Sequence, residues 1–251
     1  MTKNKISELQ YDLQVQSYIE ILDKNYLLKQ FYSKNYEDFN YFLKSNHIIN
    51  PAILEIGCGP SFLKKYYPNL ISSDIEKHSN CDFIANAKDL PFDKESIDVI
   101  FLHNVFHHID DIDKFFKQAD KCLRKNGIIY LIDPNYSCFS KIIYKYFHHE
   151  KFDLNADWKF NSSNPQLDSN QALSWIVFER DIEIFKNRYP NFKIIEKKSF
   201  SFLTYLLSGG FNYNINLPKF LCKIIFKIDN YLSFFMKNYL GLFQKIIIKK
   251  L

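Results

Sequence analysis

Three groups of residues in this chain have types and spacings that could do chemistry. The first is Glu55-Ile56-Gly57-Cys58-Gly59-Pro60-Ser61, in which two glycines at i and i+2 follow a short apolar run. Without a Cβ the backbone can bend sharply and approach a ligand closely, and the free N–H groups of a following helix favour an anionic group. By itself the pattern also fits an ordinary strand-to-helix turn. Asp74 ends the next apolar run, where a carboxylate can accept hydrogen bonds from both hydroxyls of a ribose. The second group is His107 and His108 with Asp133. A histidine beside a carboxylate can take a proton from an alcohol. The same histidines could instead cap the next helix or pack behind the site. The third group is Phe147-His148-His149-Glu150, close to Lys151-Phe152-Asp153, Trp158 and Asn161-Ser162-Ser163-Asn164. Rings that stack on apolar sugar faces and amides that bond hydroxyls suit a glycan, with His148 a further candidate base. The His148-His149 pair has no third ligand spaced to complete a metal site, and no metal is expected.

Elements must hold these groups together. Residues 6–48 read as helical, ended by Pro51. Short apolar runs then alternate with helical stretches: Ala52–Ile56, Leu70–Ser73, Cys81–Ile84, Ile97–Leu102 and Ile128–Ile132. Strands joined through helices imply a parallel sheet covered on both faces. The helix Asp111–Arg124 gathers Phe115, Phe116, Ala119, Cys122 and Leu123 on one side, and Asn126-Gly127 is expected to terminate it. Asn135 to Asn170 reads as irregular. A helix over about 171–188, a strand near Phe192–Glu196 and a final strand over 243–250 complete the pattern. The sheet is expected to have seven strands and to end in an antiparallel one. His107 and Asp133 then lie at its carboxyl edge, where open α/β sheets bind ligands.

Composition narrows the options. In 251 residues, 47% are apolar and 24% charged, which supports a large core and argues against wholesale disorder. The net charge of +5 is spread along the chain except for a lysine-rich C-terminal part, so no concentrated basic face marks a nucleic-acid binder. Cys58, Cys81, Cys122, Cys138 and Cys222 are scattered, with no CxxC pair. That argues against a disulfide framework or a zinc cage and suits a reducing cytoplasm. No signal-peptide core or membrane-spanning run is seen.

The motifs in order resemble the class I S-adenosylmethionine-dependent methyltransferases. ExGCGxG stands at 55–61, the acidic residue is Asp74, and the DAxxLPF element is Asn86-Ala87-Lys88-Asp89-Leu90-Pro91-Phe92. Asp98 opens an FDxV-type strand, and Asn104-Val105-Phe106-His107-His108 matches an LHH-type loop. Leu123–Gly127 and Ile132-Asp133-Pro134 match as well. Ser61 replaces the third glycine, and Asn86 replaces the usual Asp. The resemblance covers residues 50–135 closely. It implies an α/β, Rossmann-like fold: helices at 1–50, a cofactor core at 51–135, helical cap insertions at 136–190 and 201–242, and the last strand at 243–251, all in one domain.

It also implies S-adenosyl-L-methionine as cofactor. Glu55, Gly57, Cys58 and Gly59 would line its methionine and ribose parts, and Asp74 would hold the ribose. Ile75, Asn86 and Ala87 would frame the adenine, although Ile75 could equally be core, and His103 and Asn104 would close the pocket side. Some small-molecule O-methyltransferases resembling this chain use a His and an Asp at the positions of His107 and Asp133. The 147–153 segment, the Leu173–Arg180 helix and Leu206-Leu207-Ser208-Gly209-Gly210 look similar to methyltransferases of bacterial surface-polysaccharide gene sets, which implies a glycan or glycan-precursor acceptor. Two other readings stay open. An NAD(P)-dependent oxidoreductase is opposed by the missing third glycine of the dinucleotide fingerprint. A non-catalytic cofactor-binding module would lack acceptor space.

Lysines at 219, 223 and 227 alternate with Phe220, Ile224, Ile225 and Ile228. The segment 217–240 could be a lid over the site, a contact with an anionic membrane, or a dimer face.

Overall fold

Side chains that alternate between two buried faces dictate the sheet. In the computed structural model, which describes residues 3–148, 150–162, 168–213 and 215–251, strand β4 (Ile97–His103) sends Val99 and Phe101 to one face and Ile100 and Leu102 to the other, all fully buried. The first pair packs with Phe39, Tyr130 and Ile247; the second packs with Phe115, Phe116 and Ile129. A strand apolar on both faces must be covered on both, as in parallel α/β sheets. Its parallel neighbours are β1 (Ile53–Ile56) and β5 (Leu123–Pro134). Outside β1 lie β2 (Ile71–Asp74) and the two-residue β3 (Phe83–Ile84). Beyond β5 comes β7 (Phe243–Lys250), antiparallel both to β5 and to the edge strand β6 (Phe192–Phe200). The order is β3-β2-β1-β4-β5-β7-β6, the seven-stranded, Rossmann-like arrangement expected. Ile246, Ile247 and Ile248 of β7 are buried on both faces, which is why this last piece of chain inserts between two strands rather than adding an edge.

Several boundaries differ from the sequence expectation. The N-terminal region is two helices, α1 (Lys3–Lys24) and α2 (Tyr26–Ser45), split at Asn25. The Asn25 side chain accepts from Leu28 N at 3.1 Å, capping α2, and donates to Ser208 O at 2.7 Å. Helix α3 (Ile112–Cys122) is capped by Asp111 and ends at Cys122 rather than at Asn126-Gly127. Leu123 turns extended and pairs with Ile97 through an irregular register, and Arg124 bonds Asp98 at 2.7 Å. Burying Leu123 in the sheet outweighs one more helical turn. The stretch read as irregular contains α4 (Cys138–Tyr146), started by a capping box between Ser137 and Ser140. Helix 171–188 is instead α5 (Leu173–Trp175), a π-helical turn at Ile176–Arg180, and α6 (Ile182–Arg188).

The segment between β6 and β7 holds α7 (Leu203–Ser208) and α8 (Lys219–Leu240). Buried Asp229 of α8 accepts from the backbone N–H groups of Phe202, Leu203 and Thr204 at 2.8–3.0 Å, so it caps α7 from a distance. Among the described residues no helix is long and apolar enough to cross a membrane. His149, Ser163 and Asn164, named with the candidate glycan-binding stretch, lie outside the described residues.

Candidate active site

A cavity of about 440 Å³ opens over the carboxyl ends of β1, β2 and β4, and its lining residues come from widely separated parts of the chain. One half is walled by Gly57, Gly59, Asp74, Ile75, Asn86 and Ala87. The other half is walled by His107, Tyr144, His148, Glu150, Gln171 and Tyr205. His103 and Asn104 stand between the halves.

The bend after β1 is built by strain. Gly57, Gly59 and Ser61 all have positive φ, at 64°, 46° and 52°. A Cβ on Gly57 would meet Val105 at 2.5 Å, whereas a Cβ on Gly59 would meet nothing within 4 Å. The bend is thus closed behind Gly57 and open at Gly59, where a ligand can approach the bare backbone. Asp74 fastens it: its carboxylate accepts from Gly59 N at 2.9 Å and from Ile75 N at 2.7 Å. The Tyr11 hydroxyl on α1 also bonds Asp74, and burial followed by the Asp74 charge holds the phenol protonated.

Two expected cofactor residues are placed differently from the sequence reading. Glu55 and Cys58 do not line the cavity. The Glu55 carboxyl turns back under the bend, accepting from Ser61 Oγ at 3.2 Å, and burial raises its pKa to about 8 against the lowering effect of that bond. Cys58 points away, toward His78. Asn86 reaches the wall, but its Oδ1 accepts from Lys88 N at 3.0 Å and closes its own turn. His103 is neutral, since burial lowers its pKa to about 3, and its Nε2 lies 3.0 Å from Asn35 Nδ2.

The acceptor-side half centres on His107. Its Nδ1 is 2.7 Å from Asp133 Oδ1, and its Nε2 is 3.4 Å from Glu150 Oε2. Burial works against a charged ring here. The flanking carboxylates of Asp133 and Glu150 outweigh that penalty and raise the His107 pKa to about 10. Glu150 is itself held by Ser169 Oγ at 2.8 Å and by Gln171 Nε2. Burial disfavours its charge, but His107 more than compensates and holds it well below the usual carboxylate range. His148 lies beside Tyr144, with ring centroids 5.7 Å apart. The His107, His108 and Glu150 ligand atoms lie within 4.8 Å of one another, so these three could hold a metal here among the described residues, whereas the His148-His149 pair weighed from sequence includes a residue outside them.

Residues 54–131 match the family model described as a methyltransferase domain. The chain carries a methyltransferase domain over this stretch, which runs from β1 into β5. A ubiquinone biosynthesis O-methyltransferase of Pelagibacter ubique (strain HTCC1062) is 26% identical over 116 residues, covering 39% of this chain and 48% of that protein. The chain therefore matches about half the length of that curated relative. Among solved structures, a possible histamine N-methyltransferase of Thermotoga maritima superposes with a TM-score of 0.50 at 14% identity, covering 93% of this chain and 97% of that one. Phosphoethanolamine N-methyltransferase 2 of Haemonchus contortus, solved with S-adenosyl-L-methionine, gives 0.49 at 14% identity, covering 95% and 57%. The Thermotoga likeness shows the fold.

The methyltransferase domain takes S-adenosyl-L-methionine as its cofactor, and the residues present fit it. Gly59 offers a cradle free of side chains, and Ala85 and Ala87 leave room at the adenine end. Asn104 Oδ1 is buried with no hydrogen-bond partner among the described residues, and it is suited to accept from an ammonium group.

The sequence reading missed Tyr11, Gln14 and Tyr18 of α1, which line the cavity. Nothing in the mixed pattern of that helix points to a ligand. It also missed that Glu150 meets His107. A lid role for 217–240 is not what the structure shows, because among the described residues none of α8 lines the cavity.

Proposed function

We propose that the protein methylates a hydroxyl oxygen of a polar, ring-bearing small molecule, a sugar or glycan precursor, with His107 as proton acceptor and Asp133 as the group that positions it. The observation that carries this reading is the 2.7 Å contact between His107, which lines the cavity shared with the cofactor-side wall, and the buried Asp133. When bound, the cofactor supplies a methyl group on a cationic sulfur with a neutral leaving group. What remains for the chain is alignment of the acceptor and removal of its proton.

Asp133 holds the Nδ1 proton and so turns Nε2 toward the cavity. An acceptor hydroxyl reaching Nε2 replaces Glu150 at the 3.4 Å contact. That removes one of the two charges favouring the imidazolium and frees a basic nitrogen. Tyr144, Tyr205, Gln171 and Asn212 give the rings and amides that suit a hydroxylated acceptor. The test is methyl transfer from labelled cofactor to sugar nucleotides and to phenolic acceptors, together with thermal shifts. Stabilisation by S-adenosylhomocysteine and labelling of sugars supports the reading; stabilisation by NAD alone, or labelling of phenols only, sinks it.

A second element of the proposal is where the protein works. Helix α8 exposes Phe220, Ile224, Ile228, Tyr231 and Phe235, each 46–66% accessible, along one stripe flanked by exposed Lys219, Lys223 and Lys227. Apolar area bordered by lysines complements an anionic bilayer surface, and we assign this face to membrane contact.

A further inference from the structure

Three potential metal ligands converge beneath the cofactor bend, outside the methyl-transfer site. Cys58 lies within the bend itself. His78 and Cys81 lie in the loop after β2, spaced as His-x-x-Cys in His78-Ser79-Asn80-Cys81. A turn closed by Cys81 N donating to His78 O at 3.2 Å brings these two ligands to the same side. The ligand atoms of all three residues lie within 4.8 Å of one another, and Cys58 Sγ is 3.8 Å from His78 Nε2. A tetrahedral ion with its usual bonds to sulfur and nitrogen sets that edge at about 3.6 Å. Cys58 and His78 are buried, while Cys81 is half-buried and gives a route in from solvent. Both cysteines are free of disulfides.

We propose that Cys58, His78 and Cys81 form a binding site for one thiophilic divalent cation, Zn2+ above all. Two thiolates and one imidazole are the donor set that such an ion prefers, and a water completes the tetrahedron. Binding releases the protons of both thiols, which leaves the three-ligand centre neutral. Ligation through Nε2 places the remaining ring proton on Nδ1 and gives up the 3.3 Å contact from Asn80 N. Ligation also gives up the 3.4 Å contact between His78 Nε2 and Asp74 Oδ2, and Asp74 keeps its bonds from Gly59 N and Ile75 N. The site does not depend on the methyl-transfer reading.

The experiment titrates chelator-treated, reduced full-length protein with Co2+ and then Zn2+. The expected result is one Co2+ per chain, with thiolate-to-metal charge-transfer absorption that Zn2+ displaces, and about two protons released per ion. Cys81→Ser, at a half-buried position, should weaken binding at least about 100-fold, more than loss of an outer-shell partner does. Cys138→Ser, at an exposed cysteine, should change nothing. Absence of the charge-transfer band, or an unchanged titration in folded Cys81→Ser, overturns the proposal.

Discussion

His107 Nδ1 and Asp133 Oδ1 lie 2.7 Å apart, with both side chains buried at the carboxyl edge of neighbouring strands. Asp133 fixes the ring so that Nε2 faces the cavity. Asp133→Asn keeps the shape but loses the charge that orients the imidazole. Turnover should fall about 10²- to 10⁴-fold, the usual scale for a positioned base. Calorimetry with S-adenosylhomocysteine should show affinity changed little, and a large loss of affinity would place Asp133 in cofactor binding instead.

The pH dependence follows from the same contacts. As the proposed proton acceptor His107 would act only when neutral, and its pKa is raised from 6.5 to about 10, so kcat/KM should climb with pH through the neutral range and level off only above about 10. Removing a neighbouring anion lowers that pKa, so the plateau in Asp133→Asn should begin at lower pH. The charged ring also contributes stability that is fully present below pH 6.5 and is lost as pH rises through about 10. A flat profile between pH 6 and pH 9 would remove His107 from the role.

Gly57 and Gly59 should respond differently to alanine. Both sit at positive φ, so each Ala carries about 1–2 kcal/mol of backbone strain. Only at Gly57 does the new methyl strike Val105, adding about 1–3 kcal/mol of overpacking. Thermal unfolding should show the larger loss for Gly57→Ala. Gly59→Ala should fold well yet bind S-adenosylhomocysteine poorly, because its methyl enters the ligand's space.

Glu55 holds its proton in the folded protein up to about pH 8, against an ordinary value of 4.5. The native state then binds a proton that the unfolded chain gives up, and stability falls as pH rises between those values. Glu55→Gln should raise Tm at pH 8 by several degrees, at about 2–4 °C per kcal/mol, and change little near pH 4.5. Equal shifts at both pH values would argue against the buried neutral carboxyl.

For α8, the protein should sediment with phosphatidylglycerol vesicles and much less with phosphatidylcholine, and salt should weaken the association. Lys219→Glu, Lys223→Glu and Lys227→Glu together should abolish it. Binding that ignores lipid charge, or a salt-stable dimer formed through this face, would contradict a membrane role.

The sequence by itself determined the sheet, the bend and the edge where ligands meet. Apolar runs of strand length, glycines where φ must be positive, and acidic residues at strand ends are local signals, and each acts through its own dihedrals or its nearest neighbours. His107 and Asp133 could be paired from sequence because both follow adjacent parallel strands. Boundaries were less legible: Leu123 left its helix for the sheet because burial against Ile97 decided its state, and no local preference encodes that. Only the tertiary structure brought Glu150 to His107, laid Tyr11 over Asp74 and gathered Cys58 with His78 and Cys81. Those contacts join loops whose course is set by packing against the rest of the molecule, so scattered cysteines that looked unrelated along the chain converge in space.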